Sequence, residues 1–513
     1  MKPFSIGLQI FLLLPCLIFG RTTVNLPNPS DDDELLKFPD DLMIGVASSA
    51  FQTEGAWDVD GKSPSNWDEY THVNNFGANA DIACDSYHKY KEDIKLAANG
   101  NFKFFRMSLS WSRILPTGSI GNINYNAINH YKNVLNEVKK QGMIPFVTLY
   151  HWDHPAIFDK FGGWNSEKMI IAFNDYAQVV FKHFANIVKF WTTINEPMVY
   201  CYYGHGKGFF PPGDTFEGRG PYICGQNMLI AHAQVYHLFK NKYNNSDSQI
   251  GIVNACWNFY PENPSEPESA DIAFEYNCGW LSNPIFSKEG DYPVIMKQRI
   301  KENSYLEGLS TSRLPELTEP MINLIKGTSD YFGLNYYSSR MSDKVEKTQS
   351  GKWFDDSGVN MTINNEWPMD VATWIPIVPE GLGDILRIIK NKYNNPPVYI
   401  LENGIASNGS SYDLVRTKYF YSHMKEMLAA KNRDGCNVKA YVVWSLLDSF
   451  EWVAGYRQYF GIVYVDHNSP QRTRTPKTSY YWLKDMIHQR ALPSTFITPL
   501  KPLKTIDSTG TES

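Results

Sequence analysis

From about residue 38 onward the chain alternates short apolar runs, rich in β-branched and aromatic residues, with longer stretches whose apolar residues recur at helical spacing. That alternation restricts the architecture more than any other property. Each apolar run needs a strand and each amphipathic stretch a helix that returns the chain in the same direction, so the pattern builds parallel sheet from βα units, an α/β fold. Eight runs read as strands: Leu42–Ser48, Phe102–Ser108, Ile144–Tyr150, Phe190–Ile194, Ile250–Cys256, Tyr331–Tyr336, Val398–Leu401 and Val438–Ser445. Several are apolar almost without interruption, as strands covered on both faces are. Between them Tyr131, Val134, Leu135 and Val138 fall on one helical face before Gly142, and Phe173, Tyr176, Ala177, Val180, Phe181 and Phe184 repeat the pattern. Eight such units close into a single (β/α)8 TIM barrel, and 513 residues suit one whose loops are long. Connections near 52–86, 203–225, 257–325 and 338–380, rich in Gly, Pro, Asn and Trp, are expected as loops built over the C-terminal mouth.

The ends read differently from the middle. Lys2, the apolar stretch from Phe4 to Phe19 and small Gly20 have the form of a secretory signal peptide over 1–20, followed by a flexible segment 21–37, the barrel domain 38–490 and a tail 491–513. No second segment is apolar enough to span a bilayer, which predicts a secreted or lumenal protein without a membrane anchor. Lys and Arg number 48 against 54 Asp and Glu, a net charge of −6 without basic runs, which argues against nucleic-acid or anionic-membrane partners and for a small molecule. Sequons at Asn244, Asn360 and Asn408 fit the secretory route as glycosylation sites. Beyond Cys16, the cysteines Cys84, Cys201, Cys224, Cys256, Cys278 and Cys436 show no zinc-type spacing; Cys201 with Cys224 could close a loop, and buried free thiols fit equally well. The histidines are dispersed, and Gly204-His205-Gly206-Lys207-Gly208 lacks the spacing of a phosphate loop, so neither metal nor cofactor is expected.

Two segments carry the chemistry, Thr193-Ile194-Asn195-Glu196-Pro197 and Ile400-Leu401-Glu402-Asn403-Gly404. Each ends an apolar run, which places its carboxylate where a buried strand emerges into a loop. Two carboxylates brought from distant strand ends into one pocket are what cleavage of a glycosidic bond requires, one to protonate the leaving group and one to attack the sugar carbon. Further polar and aromatic residues fall at the same ends: Gln52 and Glu54 after the first strand, Arg106 on the second, His151 and Trp152 after the third, Tyr337 after the sixth, and Trp444, Glu451 and Trp452 at or beyond the eighth. Barrels of this type put their active sites there.

Together these words resemble family 1 glycoside hydrolases, the β-glucosidase family, from about Phe38 to Trp482. The likeness is carried by Asn195-Glu196-Pro197 and Glu402-Asn403-Gly404, with Ser49-Ala50-Phe51-Gln52-Thr53-Glu54-Gly55, Phe105-Arg106-Met107-Ser108, Tyr150-His151-Trp152-Asp153, Gly333-Leu334-Asn335-Tyr336-Tyr337 and Phe450-Glu451-Trp452. Its loop wording and Gln471-Arg472-Thr473-Arg474 look most like insect members. The resemblance implies hydrolysis of a small β-glucoside by double displacement, with Glu196 as acid/base and Glu402 as nucleophile about 5–5.5 Å apart. It further implies that Arg106 and Tyr337 support Glu402, that Asn195 bonds the sugar 2-hydroxyl, and that Gln52, His151, Tyr337, Trp444, Glu451 and Trp452 hold the rest of the sugar. Glu196 is expected protonated at rest, its pKa raised by the charge of Glu402.

Leaving-group contacts are expected at Tyr202, Arg340 and Trp374. Tyr202 and Arg340 occupy the positions where insect thioglucosidases, the myrosinase type, carry a Lys and an Arg; Arg340 could pair with a sulfate, which makes thioglucosidase the alternative reading. A catalytically dead sugar-binding member is a third, weakened by the retention of both glutamates. The chain departs from the family pattern at Leu401 (usually Thr), at Ser449 (usually Asn) and at His154-Pro155-Ala156, the last expected near the entrance.

Overall fold

A computed structural model describes residues 35–73, 77–245, 247–345 and 352–499. The expected signal peptide, most of the segment 21–37 and the end of the tail lie outside these residues. Eight parallel strands form a closed barrel: β1 (Met43–Ala47), β2 (Phe104–Ser108), β3 (Ile144–Tyr150), β4 (Phe190–Asn195), β5 (Gln249–Ala255), β6 (Phe332–Asn335), β7 (Val398–Asn403) and β8 (Val438–Val443). Each pairs with the next in sequence, and β8 closes on β1 with Val46 opposite Val443. The apolar runs therefore form strands in the order and number expected, with ends shifted by no more than two residues.

Large rings fill the lower barrel. Phe104, Phe146 and Phe190 follow one another around β2, β3 and β4 at centroid distances of 5.7 and 5.6 Å, and Tyr399 of β7 stacks on Tyr331 at 4.6 Å. Small residues opposite make room. A Cβ on Gly45 would lie 2.6 Å from the Phe104 ring and one on Gly251 would lie 2.7 Å from that of Tyr331, so these positions accept no side chain without displacing a floor aromatic. Burying a ring such as Phe146 contributes roughly 1.5–3 kcal/mol over leaving it in water. The floor thus closes the lower end and leaves the polar strand ends as the accessible end.

The outer helices follow the apolar stripes. Tyr125–Lys140 buries Ile128, Tyr131, Val134, Leu135 and Val138, and the Asn124 side chain caps it by accepting from the amides of Asn126 and Ala127. Lys168–Phe184 buries the six residues of the second stripe.

The expected loops are more than loops: the helix Asn66–Val73 lies within 52–86, and the two excursions after β5 and β6 are larger. Residues 257–325 carry the helices Glu268–Phe274, Trp280–Phe286, Val294–Leu306 and Glu319–Ile325, whose Ile272, Trp280, Ile285 and Ile300 are buried. Asn258–Pro261 lies parallel to Ser339–Lys344, which pairs antiparallel with Val359–Thr362, a small sheet joining the excursions after β5 and β6. Asp356 anchors them, accepting from Tyr222 at 2.6 Å, Asn303 at 2.9 Å and Arg313 at 2.7 Å. Gly, Pro and Asn content favours irregular chain, but the apolar residues between them have a core of their own to bury.

Both termini of the domain are tied down. Lys37 bridges Ala491, and Leu36 and Leu492 are buried, so the folded unit runs past the expected 38–490 at either end, and residues 35–37 and 491–492 belong to it instead of to a free segment and tail. Disulfides join Cys201 to Cys224 and Cys256 to Cys278, while Cys84 and Cys436 are free and buried. Asn244, Asn360 and Asn408 are all exposed. Among the described residues no helix is long and apolar enough to cross a membrane.

Candidate active site

β4 delivers Asn195 and then turns: Glu196 adopts the left-handed region at φ 45°, ψ 60°, and Pro197 opens the helix Pro197–His205. Trp152 after β3 (φ 76°) and Trp452 after β8 (φ 47°) do the same. A non-glycine residue held there costs on the order of 1–2 kcal/mol, and three of them around one cavity mark a place where neighbours fix the backbone against its preference. Trp152 shows how: its indole Nε1 donates to the Asn195 carbonyl at 2.8 Å, tying two of the turns together.

One connected network spans the barrel mouth. Arg106, on β2 and almost fully buried, donates through Nη1 to Glu402 Oε1 at 2.6 Å and through Nη2 to Asn195 Oδ1 at 2.7 Å. Tyr337 donates its hydroxyl to the other oxygen of Glu402 at 2.7 Å. Asn335, the last residue of β6, donates to Glu196 Oε1 at 2.7 Å and to Asn195 Oδ1 at 3.2 Å. Glu402 therefore receives a cation and a phenol, Glu196 a neutral amide. Charge-assisted hydrogen bonds are about twice as strong as neutral ones, so the surroundings treat the two carboxyls unequally.

The electrostatics agree with that inequality. Burial pushes Glu196 up to about 8, with the Glu402 charge as the second cause and the Asn335 hydrogen bond and the Arg106 charge opposing it. The neighbouring charge expected from the sequence to dominate comes second because the carboxyl is already out of water. Glu451 is likewise pushed up to about 8 by burial and then by Glu402. Three carboxyls share the site with one guanidinium, which favours keeping two of them protonated. His151 is held well below the usual histidine range by burial and the Arg106 charge, so its ring is neutral.

The sugar-binding candidates gather here. His151 lies between Trp444 and Trp452, near-parallel to both at 5.6 and 5.9 Å, and its Nε2 is 3.4 Å from the Asn195 amide while Nδ1 has no protein partner. Gln52 donates to Glu451 Oε2 at 3.1 Å and to the Phe450 carbonyl at 3.0 Å, and accepts from Ser49. A buried polar atom left without a partner is costly, and a hydroxylated ligand would satisfy His151 Nδ1. His151, Trp444, Glu451 and Trp452 line, with Asn195, Glu196, Tyr337 and Glu402, a cavity of about 440 Å³, within the usual range for a small-molecule site, while Gln52 is buried behind Glu451 and outside that lining.

Several expectations do not hold. Tyr202 does not line this cavity; it packs on Trp353 at 5.0 Å, and its neighbour Tyr203 lines the cavity instead. Arg340 is buried behind Trp257 and bonded to backbone carbonyls, out of reach as a surface anion ligand, whereas Trp374 does line the cavity. Glu54 serves structure: it accepts from Tyr131 at 2.7 Å and pairs with Arg113. His154 is fully buried between Tyr150 and Asp159, away from the entrance. Leu401 contributes its carbonyl to Arg106, at 3.1 Å, so this contact does not depend on its departure from the family pattern.

Sequence reasoning assigns no role to Asn335, nor to the wall residues Tyr203, Phe209, Trp257 and Phe460. Asn335 ends an apolar run as Asn195 does, a signal that could have found it. Among the described residues no group of three His, Cys, Asp or Glu side chains is placed to hold a metal ion.

Comparison with known proteins gives one consistent answer. The family model of glycosyl hydrolase family 1 matches residues 35–492. Myrosinase 1 of Brevicoryne brassicae is 39% identical over 461 residues, 88% of this chain and 98% of that protein. Beta-glucosidase 12 of Oryza sativa subsp. indica is 38% identical, covering 93% and 98%. The solved structure of aphid myrosinase superposes with a TM-score of 0.84 at 38% identity, covering 88% of this chain and 99% of that one. The chain belongs to glycosyl hydrolase family 1.

Proposed function

We propose that the protein is a retaining β-glucosidase. Glu196, neutral at rest, protonates the glycosidic oxygen while Glu402 attacks the anomeric carbon, giving a covalent glycosyl-enzyme and a free alcohol or phenol. Glu196 has given its proton to the leaving group, and esterification of Glu402 removes the charge that had raised its pKa, so Glu196 stays ionised and, as a carboxylate, takes a proton from the incoming water, whose oxygen then displaces Glu402. Two inversions leave the β configuration. Arg106 and Tyr337 position Glu402; Asn195 and His151 offer groups to the sugar hydroxyls, and Trp444 offers a face for stacking.

The observation that carries this reading is the unequal treatment of the two carboxyls, Arg106 and Tyr337 on Glu402 against Asn335 on Glu196. Proton NMR of the reaction with an aryl β-glucoside tests it. The sugar released first is expected as the β-anomer, equilibrating later, and initial α-glucose or no hydrolysis by folded protein refutes it.

The likeness to Myrosinase 1 favours a second reading, cleavage of S-glucosides. Both glutamates suit it, but Tyr202 and Arg340 lie out of the cavity, which supports O-glucosides as the principal substrates. Comparing hydrolysis of a glucosinolate with that of an O-glucoside decides between them. The apolar stretch before Gly20 and the exposed sequons support secretion as a glycoprotein; mass spectrometry of the mature N-terminus and of peptides bearing Asn244, Asn360 and Asn408 tests that.

A further inference from the structure

The chain leaves β7 at Asn403 and, after a loop, enters the helix Leu414–Leu428. Arg416, Tyr419 and His423 fall on one face of that helix, and all three are buried. Arg416 fastens the helix to the loops around the site. Its Nε donates to the Ile405 carbonyl at 3.2 Å, Nη1 to Asp413 at 2.7 Å and Nη2 to Ser407 at 2.6 Å, with further bonds to the Tyr459 and Gly461 carbonyls. One guanidinium thus joins the segment after Glu402 to the segment after β8. His423 fixes Tyr419 in turn: its ring stacks on the phenol at a centroid distance of 3.7 Å, and Nδ1 donates to the Tyr419 carbonyl at 2.8 Å. Burial pushes His423 down to about 3, so this ring is neutral.

The Tyr419 hydroxyl sits between two neighbours of Glu402. It donates to the Tyr337 carbonyl at 2.7 Å and accepts from Asn403 Nδ2 at 3.1 Å. Asn403 follows the nucleophile in the chain; its Nδ2 also donates to the Tyr336 carbonyl at 2.7 Å, and its Oδ1 accepts from the Tyr441 hydroxyl. Tyr337 lies beyond Asn335, the last residue of β6, so the barrel ladder ends before it. Its main chain is held from behind by Tyr419 while its phenol reaches forward to Glu402 Oε2.

We propose that Tyr419 is a positioning residue for the nucleophile: through the Tyr337 carbonyl it sets where the Tyr337 phenol stands, and so holds Glu402 in line for attack. This rests on the β-glucosidase reading above. Tyr419 does not line the cavity, so its influence passes through Tyr337. A phenol suits the place because one hydroxyl must both donate to a carbonyl and accept from an amide. Removing it takes a donor from a buried carbonyl, and the main chain carrying Tyr337 shifts to regain one. At a reacting centre a misplacement of about 1 Å can cost on the order of a hundredfold in rate. A role in stability alone would lower the amount of folded protein and leave the chemistry of the folded fraction unchanged.

The test follows covalent labelling of the full-length protein by a 2-deoxy-2-fluoro β-glucoside with a dinitrophenol leaving group, which needs attack by Glu402 and no proton from Glu196. Saturation of the labelling rate gives binding and maximal rate separately. Tyr419→Phe, which keeps the ring on His423, is expected to lower the maximal rate about tenfold with binding within about twofold of wild type. Tyr337→Phe lowers it about tenfold or more, and adding Tyr419→Phe to it changes the rate by no more than about twofold, because the one acts through the other. Tyr276→Phe, which takes a buried hydroxyl from the Asp356 carbonyl at 3.0 Å in the excursion after β5, lowers stability and leaves the labelling rate at the wild-type value. Tyr441→Phe loosens the amide that bonds Tyr419; it lowers the maximal rate about threefold and adds nothing to Tyr337→Phe, which carries the test even should Tyr419→Phe not fold. A wild-type maximal rate in Tyr419→Phe, losses that multiply in the double variant, or an equal loss in Tyr276→Phe overturns the positioning role alone. A folded wild type that is not labelled and cleaves no aryl glucoside overturns the β-glucosidase reading and this role with it.

Discussion

The two halves of the cavity are built from different parts of the chain and held by different forces. Inner residues sit on or within a few residues of barrel strands and are locked by hydrogen bonds to one another, as in the run from Glu402 through Arg106, Asn195 and Asn335 to Glu196. Outer residues lie on the excursions beyond the strands and meet through ring packing, such as Trp374 on Phe460 at 6.3 Å and Tyr203 on Phe210 at 5.2 Å. Rings tolerate substitution by other rings; a linked polar network loses several partners with any member. On the proposed reading the reaction falls to the inner half and the choice of leaving group to the outer.

The sharpest way to break that comparison is Glu402→Gln. It is expected to lower kcat by at least about 10⁴-fold with every leaving group, whereas an outer substitution such as Trp374→Ala changes KM severalfold for aryl substrates only. Steady-state rates on a panel of glucosides check both, and equal effects from the two sites would erase the distinction.

Glu196→Gln comes next, with an expected loss of about 10²–10⁴-fold for poor leaving groups and much less for activated phenols that depart without a proton. Its pH behaviour is more telling. With Glu196 near 8 in the folded protein, wild-type kcat/KM should fall as pH rises through that region, and the variant should lose this limb. Stability follows with a defined sign. The folded-state pKa lies above the ordinary 4.5, so between about 4.5 and about 8 the folded protein binds more protons than the unfolded chain and loses stability as pH rises. Glu196→Gln should therefore melt above wild type at pH 8 and close to it at pH 4, measurable by thermal denaturation.

A smaller effect is expected from Asn335→Ala. The amide hydrogen bond opposes the upward push on Glu196, so its removal should move the alkaline limb to higher pH and cost about tenfold or more in kcat/KM, read from pH–rate profiles. At the outer edge, Cys256→Ser with Cys278→Ser should lower stability by about 2–4 kcal/mol in chemical denaturation and leave kcat near wild type, since that bridge braces the β5 excursion and not the network.

The same division explains what is legible in the sequence. Strand ends carry their own signal, an apolar run stopping at Asn or Glu, and so Asn195, Glu196 and Glu402 can be placed from the order of residues alone, while Arg106 stands out as a lone cation inside an apolar run. Wall residues carry none, because Trp257, Trp374 and Phe460 meet only after three excursions fold over the mouth. On the helix Pro197–His205 successive side chains diverge by about 100°, so Tyr203 faces the cavity and Tyr202 turns to Trp353. Arg340 is legible as a cation beside the site and misleading as a ligand, since nothing in its local sequence announces that Trp257 will cover it. Glu54 has the strand-end placement of a site residue, yet Arg113 and Tyr131, from a distant turn and helix, claim its carboxylate.

The central claim is that Glu402 attacks the sugar and Glu196 handles the proton. A 2-deoxy-2-fluoro β-glucoside with a dinitrophenol leaving group tests it most directly, because the fluorine slows release of the glycosyl-enzyme enough for proteolysis and mass mapping. The account predicts one fluoroglucosyl group per chain, on the peptide containing Glu402, forming also in Glu196→Gln because the activated leaving group needs no proton. An adduct on Glu196 or Glu451, or none on a wild type that turns over aryl glucosides, would contradict it.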